Sequence, residues 1–201
     1  MTDTAASEGP RSALRTAVLE LIRDKGLRHF DEPLQLSSGE YSQDFIDAKL
    51  ALAQGEDLAT ACRAMAEIVA DAGVEFDAVG GLTLGADQFA HGVAIVAGKG
   101  WFVIRKQPKG RGTDQWVEGT PLGPGVRVLL VDDIVTTGGS IQKAHERVEA
   151  EGAEVVFAIT TVDRGEIARQ YFEERGVPYE PLLTYRDLGI PPVGGAAAPT
   201  A

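Results

Sequence analysis

The chain has 201 residues, with 30 acidic side chains against 19 lysines and arginines and a formal net charge of −11. That length suits one domain able to bury about 70% of its unfolded surface, and 44% apolar with 24% charged residues suits a soluble globular protein. The acidity argues against a nucleic-acid binder and a polybasic membrane anchor. A single cysteine, Cys62, cannot form an internal disulfide, and three histidines without ligand spacing offer no zinc site. No apolar run reaches the roughly 18 residues of a membrane span. Residues 1–10 are polar and acidic, unlike a signal peptide, so a cytoplasmic location is expected.

Residues 1–10 and the Pro/Gly-rich tail 191–201 are expected to be mobile, flanking one domain over 11–190. A helix should start at the Ser12 cap, run through Leu14, Val18, Leu21 and Ile22, and stop at Gly26. Residues 30–52 look irregular, with short β-like pieces near 34–36 and 45–47 around the turn residues Ser37, Ser38 and Gly39. Residues 58–72 form the clearest amphipathic helix, ended by Gly73, and Cys62 on it reads as a buried structural thiol. Strands and helices then alternate. Strands are expected at 76–79, 101–104, 126–131, 155–162 and 181–184, and helices at 86–96, 140–151 and 166–175. Short, continuously apolar strands separated by helices predict an α/β fold, a parallel sheet with helices on both faces. Ligands of such sheets bind beyond the carboxyl ends of the strands.

One such strand end carries most of the chemistry. Residues 128–131 are apolar, Asp132 and Asp133 follow, and Ile134-Val135-Thr136-Thr137-Gly138-Gly139-Ser140 opens a helix. Glycines there expose successive backbone N–H groups, the helix start adds unpaired donors and a partial positive charge, and three hydroxyls point to the same use. This is a phosphate cradle. The acids beside it suit sugar hydroxyls, or a cation carried by a polyphosphate. Together they describe a ribose 5-phosphate site. Neither Gly-x-x-x-x-Gly-Lys nor a Gly-x-Gly-x-x-Gly after a strand occurs.

The charge is unevenly spread. Between Asp87 and Asp114 lie 26 residues without a carboxylate, and they hold Lys99, Arg105, Lys106, Lys109 and Arg111. A glycine-rich cationic loop can close on a departing anion and exclude water. His145 and His91 sit on apolar helical faces and read as packing or edge residues. Tyr41, Asp44 and Phe45 are candidates for the wall of a base pocket.

The segment 128–140 resembles the phosphoribosyl diphosphate-binding motif of type I phosphoribosyltransferases. Within that superfamily the chain is most similar to the orotate-using family, through Leu36-Ser37-Ser38-Gly39, the run from Gly80 to Asp87, the run from Arg105 to Gly112, and Val162-Asp163-Arg164. The resemblance spans residues 36–164. It implies a small N-terminal hood over the sheet and a mobile basic lid loop. It also implies transfer of the phosphoribosyl group to orotate, giving orotidine 5′-phosphate and diphosphate in pyrimidine synthesis. Mg²⁺ would come with the diphosphate, and a homodimer would form because the lid crosses to the partner's site. By the same resemblance Arg105, Lys106, Lys109 and Arg111 would bind diphosphate, with Lys109, Asp132 and Asp133 catalytic. Asp132, Asp133, Val135, Thr136, Thr137, Gly138, Gly139 and Ser140 would hold ribose 5-phosphate, and Arg164, Thr136 and Ser37 the base.

Four positions depart from the family pattern. Arg111 stands where histidine is usual, keeping charge but losing titration near neutrality. Ser37 and Leu84 stand where many members have lysine, and Glu40 where many have arginine. A relative acting on another nucleobase, and a regulator that binds phosphoribosyl diphosphate or a nucleotide without turnover, stay open as alternatives.

Overall fold

A computed structural model describes residues 12–109 and 115–194. The first helix, α1 (Ala13–Leu21), is capped by the Ser12 hydroxyl, which accepts from Arg15 N at 3.2 Å, and continues as a π-helical turn, Ile22–Gly26. The region expected to be irregular is a hairpin. β1 (Leu27–Gln35) and β2 (Tyr41–Ile46) pair antiparallel around the Ser37–Gly39 turn, and α2 (Ala48–Ala51) follows. This hairpin is the hood. Its first strand is exposed along nearly its whole length, so it lacks the alternating apolar pattern by which a strand is recognised.

The remaining elements follow the expected alternation. They are α3 (Gly55–Asp71), β3 (Ala78–Leu82), α4 (Asp87–Ala97), β4 (Gly100–Ile104), β5 (Val117–Gly119), β6 (Arg127–Val135), α5 (Gly139–Ala150), β7 (Glu154–Asp163), α6 (Ile167–Glu173), β8 (Tyr179–Thr184) and α7 (Tyr185–Leu188). Six strands form one sheet in the order β5-β4-β3-β6-β7-β8. All neighbours are parallel except the short edge strand β5, which returns antiparallel along β4. β5, α2 and α7 were not expected from the sequence, being too short to show a period. β3 runs on to Leu82 because Gly80 and Gly81 pair with Phe102 and Val103.

Burial on both faces gives the strands their continuous apolar character. Leu129 and Val131 of β6, with Phe157 and Ile159 of β7, face a core shared with Val18, Met65 and Phe89 of α1, α3 and α4. Val128, Leu130 and Ala158 point the other way, onto Ile141, Val148 and Phe172 of α5 and α6. The helices thus take the two faces and leave the carboxyl ends of β3, β4, β6 and β7 on one rim. No helix among the described residues is long and apolar enough to cross a membrane.

Candidate active site

The central strand β6 does not stop before the acids. It continues to Val135, with Asp132 opposite Thr160 and Val135 opposite Asp163 of β7, so the carboxylates stand on hydrogen-bonded sheet. The Asp132 side chain accepts from Asp133 N at 3.0 Å, and the Asp133 side chain from Ile134 N at 2.7 Å. Asp132 is buried. Desolvation first, then the Asp133 charge, raise its carboxyl to about 8. The β3–α4 turn lies directly against the pair, and a Cβ at Gly85 would stand 2.6 Å from Asp132 Oδ1 and 2.7 Å from Asp133 Oδ1.

After Val135 the chain turns through Thr136 and Thr137 to Gly138, whose φ of +77° favours glycine, and enters α5. No side chain caps α5, which leaves its first backbone amides available to an anion. A cavity of about 250 Å³ opens there, lined by Asp132, the turn and Ser140, with Ser37 and Ser38 of the hood turn across from them. Ser38 was not among the expected site residues, yet its hydroxyl is buried without a partner. The serines of the Leu-Ser-Ser-Gly turn were the signal for it.

A second cavity, about 320 Å³, adjoins the first through Ser37, Ile134 and Thr136, and Arg164 and Phe45 line it. Arg164 is no surface residue. It is 1% exposed, follows β7 directly, and its backbone N–H donates to Val135 O at 2.8 Å. Its guanidinium donates to Asp44 O at 2.6 Å and Ser42 Oγ at 3.0 Å, while Nε has no partner. The Asp44 carboxylate is occupied by His29 Nδ1 at 2.9 Å. Burial lowers the guanidinium from its ordinary value, opposed by the Asp44 charge, but an arginine stays protonated. Asp163 fixes the turn that carries Arg164, accepting from Gly165 N at 3.0 Å and from the Tyr179 hydroxyl at 2.8 Å. Of the other candidate base contacts, Asp44 serves through its backbone, and Tyr41 is exposed outside the cavity lining.

The basic segment leaves β4 as the stem of a loop, closed by Arg105 N to Trp116 O at 2.8 Å and Lys109 N to Gln115 O at 3.1 Å. Arg105 and Lys109 both pair with Glu118, at 3.3 and 3.5 Å. Arg105 and Lys106 line a third cavity beside α5 and not the cradle itself. Arg111 lies outside the described residues. His145 is buried against Tyr171 and Phe172, and His91 packs its ring on Trp101, so both stand as packing or edge residues.

An uncapped glycine-rich helix start, an acid pair and a buried arginine thus share one rim. The phosphoribosyl transferase domain family matches residues 50–172. An orotate phosphoribosyltransferase of Aquifex aeolicus is 38% identical over 180 residues, covering 87% of this chain and 97% of the relative. The chain belongs to the orotate phosphoribosyltransferase family. It is therefore a transferase, and the α/β sheet matches solved members of that family. The Mycobacterium tuberculosis orotate phosphoribosyltransferase in complex with Fe(III) dicitrate superposes with a TM-score of 0.75 at 36% identity, covering 88% of this chain and 99% of that one. The same enzyme in complex with 5-phospho-α-D-ribosyl 1-diphosphate gives 0.72 at 34%, with the same coverage.

Proposed function

We propose that this phosphoribosyltransferase uses orotate as its base, breaking the C1′–O bond of 5-phosphoribosyl 1-diphosphate and forming a C1′–N bond. The electron pair leaves with diphosphate, and the product is orotidine 5′-phosphate. The observation that carries this reading is Arg164: a buried cation, bonded among the described residues only to neutral acceptors, facing a cavity continuous with the phosphate cradle. A carboxylate-bearing planar base satisfies it through charge-assisted hydrogen bonds, with Phe45, Thr136 and Ser37 as the remaining walls.

The amides and hydroxyls of residues 136–140 hold the 5′-phosphate, while Asp132 and Asp133 accept from the ribose hydroxyls. Arg105, Lys106, Lys109 and Arg111 supply positive charge to the leaving diphosphate as it forms, with Lys109 moving off Glu118 to do so. Among the described residues no group of three or more histidine, cysteine or carboxylate side chains could hold a metal ion. Mg²⁺ carried on the diphosphate would be met on the protein side by Asp132 and Asp133. When bound, it neutralises charge on the leaving group.

The assignment includes one catalytic domain over 11–190, a cytoplasmic location, and a homodimer whose lid serves the partner. An apolar patch supports the dimer, since Ile95 is 82% exposed beside Val96 and Trp101. The test is diphosphate release from phosphoribosyl diphosphate and Mg²⁺ with a panel of bases. Release with orotate is expected, and none with orotate refutes the reading. Release with Arg164→Met equal to wild type would remove Arg164 from it.

A further inference from the structure

One cation in the site belongs to none of the motifs. Lys49 lies on α2, and its Nζ donates to Asp133 Oδ2, 84 residues away in the chain. It also lines the 320 Å³ cavity that contains Arg164. The hood needs little from it. α2 is held by Asp47, which accepts from Leu50 N at 2.9 Å, and by the buried Ala48 and Ala51. The Lys49 side chain is 53% exposed, so its ion pair contributes little to stability.

We propose that Lys49 is a specificity-determining residue that, with Arg164, selects a base carrying a carboxylate over the same ring without one. The inference rests on the orotate reading above. Arg164 is fixed by Asp44 and Ser42 on its buried side and can meet an anion only with its remaining edge. Lys49 is an unbranched, half-exposed ammonium on the same cavity, tethered at the acid pair. When Asp133 turns to ribose hydroxyls, Lys49 loses part of its hold there and finds the anionic base beside it. The hood turn, Ser37-Ser38-Gly39, offers no cation of its own. Lys49 supplies a second positive charge from the neighbouring helix.

The products isolate the effect, because orotidine 5′-phosphate and uridine 5′-phosphate differ only in the carboxylate. Their binding to wild type, Lys49→Gln and Lys49→Arg should be measured by calorimetry, without turnover. In Lys49→Gln, orotidine 5′-phosphate binding should weaken about 10- to 100-fold while uridine 5′-phosphate changes less than about threefold. Lys49→Arg should keep most of the discrimination. Unchanged uridine 5′-phosphate binding also reports an intact fold and cradle. An unaltered ratio of the two affinities in Lys49→Gln overturns the proposal, whether both ligands weaken together or only phosphoribosyl diphosphate is affected. A wild type that binds both nucleotides equally and transfers nothing to orotate refutes the base assignment itself and this inference with it. A wild type that uses orotate, beside a Lys49→Gln variant with unchanged discrimination, refutes the Lys49 role alone.

Discussion

Gly85→Ala tests whether the β3–α4 turn sets the position of the acid pair. The added methyl would stand 2.6 Å from Asp132 Oδ1 and 2.7 Å from Asp133 Oδ1. Ordinary contact begins near 3.4 Å, so one or both carboxylates must retreat by roughly 0.8 Å, or the turn must lift away. Neither carboxylate is free to rotate at no cost, because Asp132 accepts from Asp133 N and Asp133 from Ile134 N and Lys49. A displacement approaching 1 Å at a positioning group can lower rate by about 10²-fold, and overpacking costs about 1–3 kcal/mol. The expected variant is folded, melts lower by about 3–10 °C, and loses about 10²-fold in kcat/KM for phosphoribosyl diphosphate. Gly55→Ala is the control, since nothing lies within 4 Å of its added methyl. Steady-state kinetics with orotate and a thermal melt on both variants decide the matter. A Gly85→Ala enzyme within threefold of wild type would refute the claim that these carboxylates are placed for the sugar.

Asp132 binds its proton more tightly folded, at about 8, than in the unfolded chain near 3.9, so folding takes up a proton between those values and stability falls as pH rises through that window. Asp132→Asn removes this loss, and its Tm should gain on wild type from pH 5 to 8.5; parallel Tm curves would contradict the burial. Cys62 is fully buried and desolvation pushes its thiol up to about 12, so the native protein should resist an aromatic disulfide reagent at pH 8 and yield its one thiol only in denaturant. Rapid labelling of the native chain would be the contrary result. Glu118→Gln releases Arg105 and Lys109 from partly exposed pairs worth at most about 1 kcal/mol. KM for phosphoribosyl diphosphate should fall about 2- to 5-fold, and a rise would show that Glu118 presents these cations to the substrate.

The strand end, acid pair and turn into α5 were legible because they are contiguous: an apolar strand, two acids, hydroxyls, glycines and a helix start lie within thirteen residues. Local order there is spatial order. The sequence suggested that the strand ended before Asp132, since acids rarely continue a buried strand, but pairing with Thr160 carries it on to Val135. The hood was hidden for a different reason. Phe30 and Leu34 are partly exposed on β1, which contains Pro33 and two acids and is exposed nearly throughout, and the inward positions of β2 are Ser42, Asp44 and Ile46, of which only one is apolar, so no apolar alternation marks the hairpin. Arg164 could be named from its motif, but its burial and its bond to Asp44 O arise from packing against the hood. Lys49 carried no signal at all. A lysine in a short Ala/Leu run looks like any solvated residue until the fold brings it to Asp133.

Under the proposed function, the two sheets divide recognition of the substrates. The six-stranded sheet carries every carboxylate and amide assigned to the sugar phosphate, while the hairpin and α2 supply most of the wall around the base. Residues 27–51 thus form a compact unit in the chain, although Ile46, Ala48 and Ala51 tie it into the main core. Grafting the corresponding stretch from a relative with another base preference would alter substrate choice without dismantling the ribose 5-phosphate platform, provided that Ser42 and the Asp44 carbonyl still anchor Arg164.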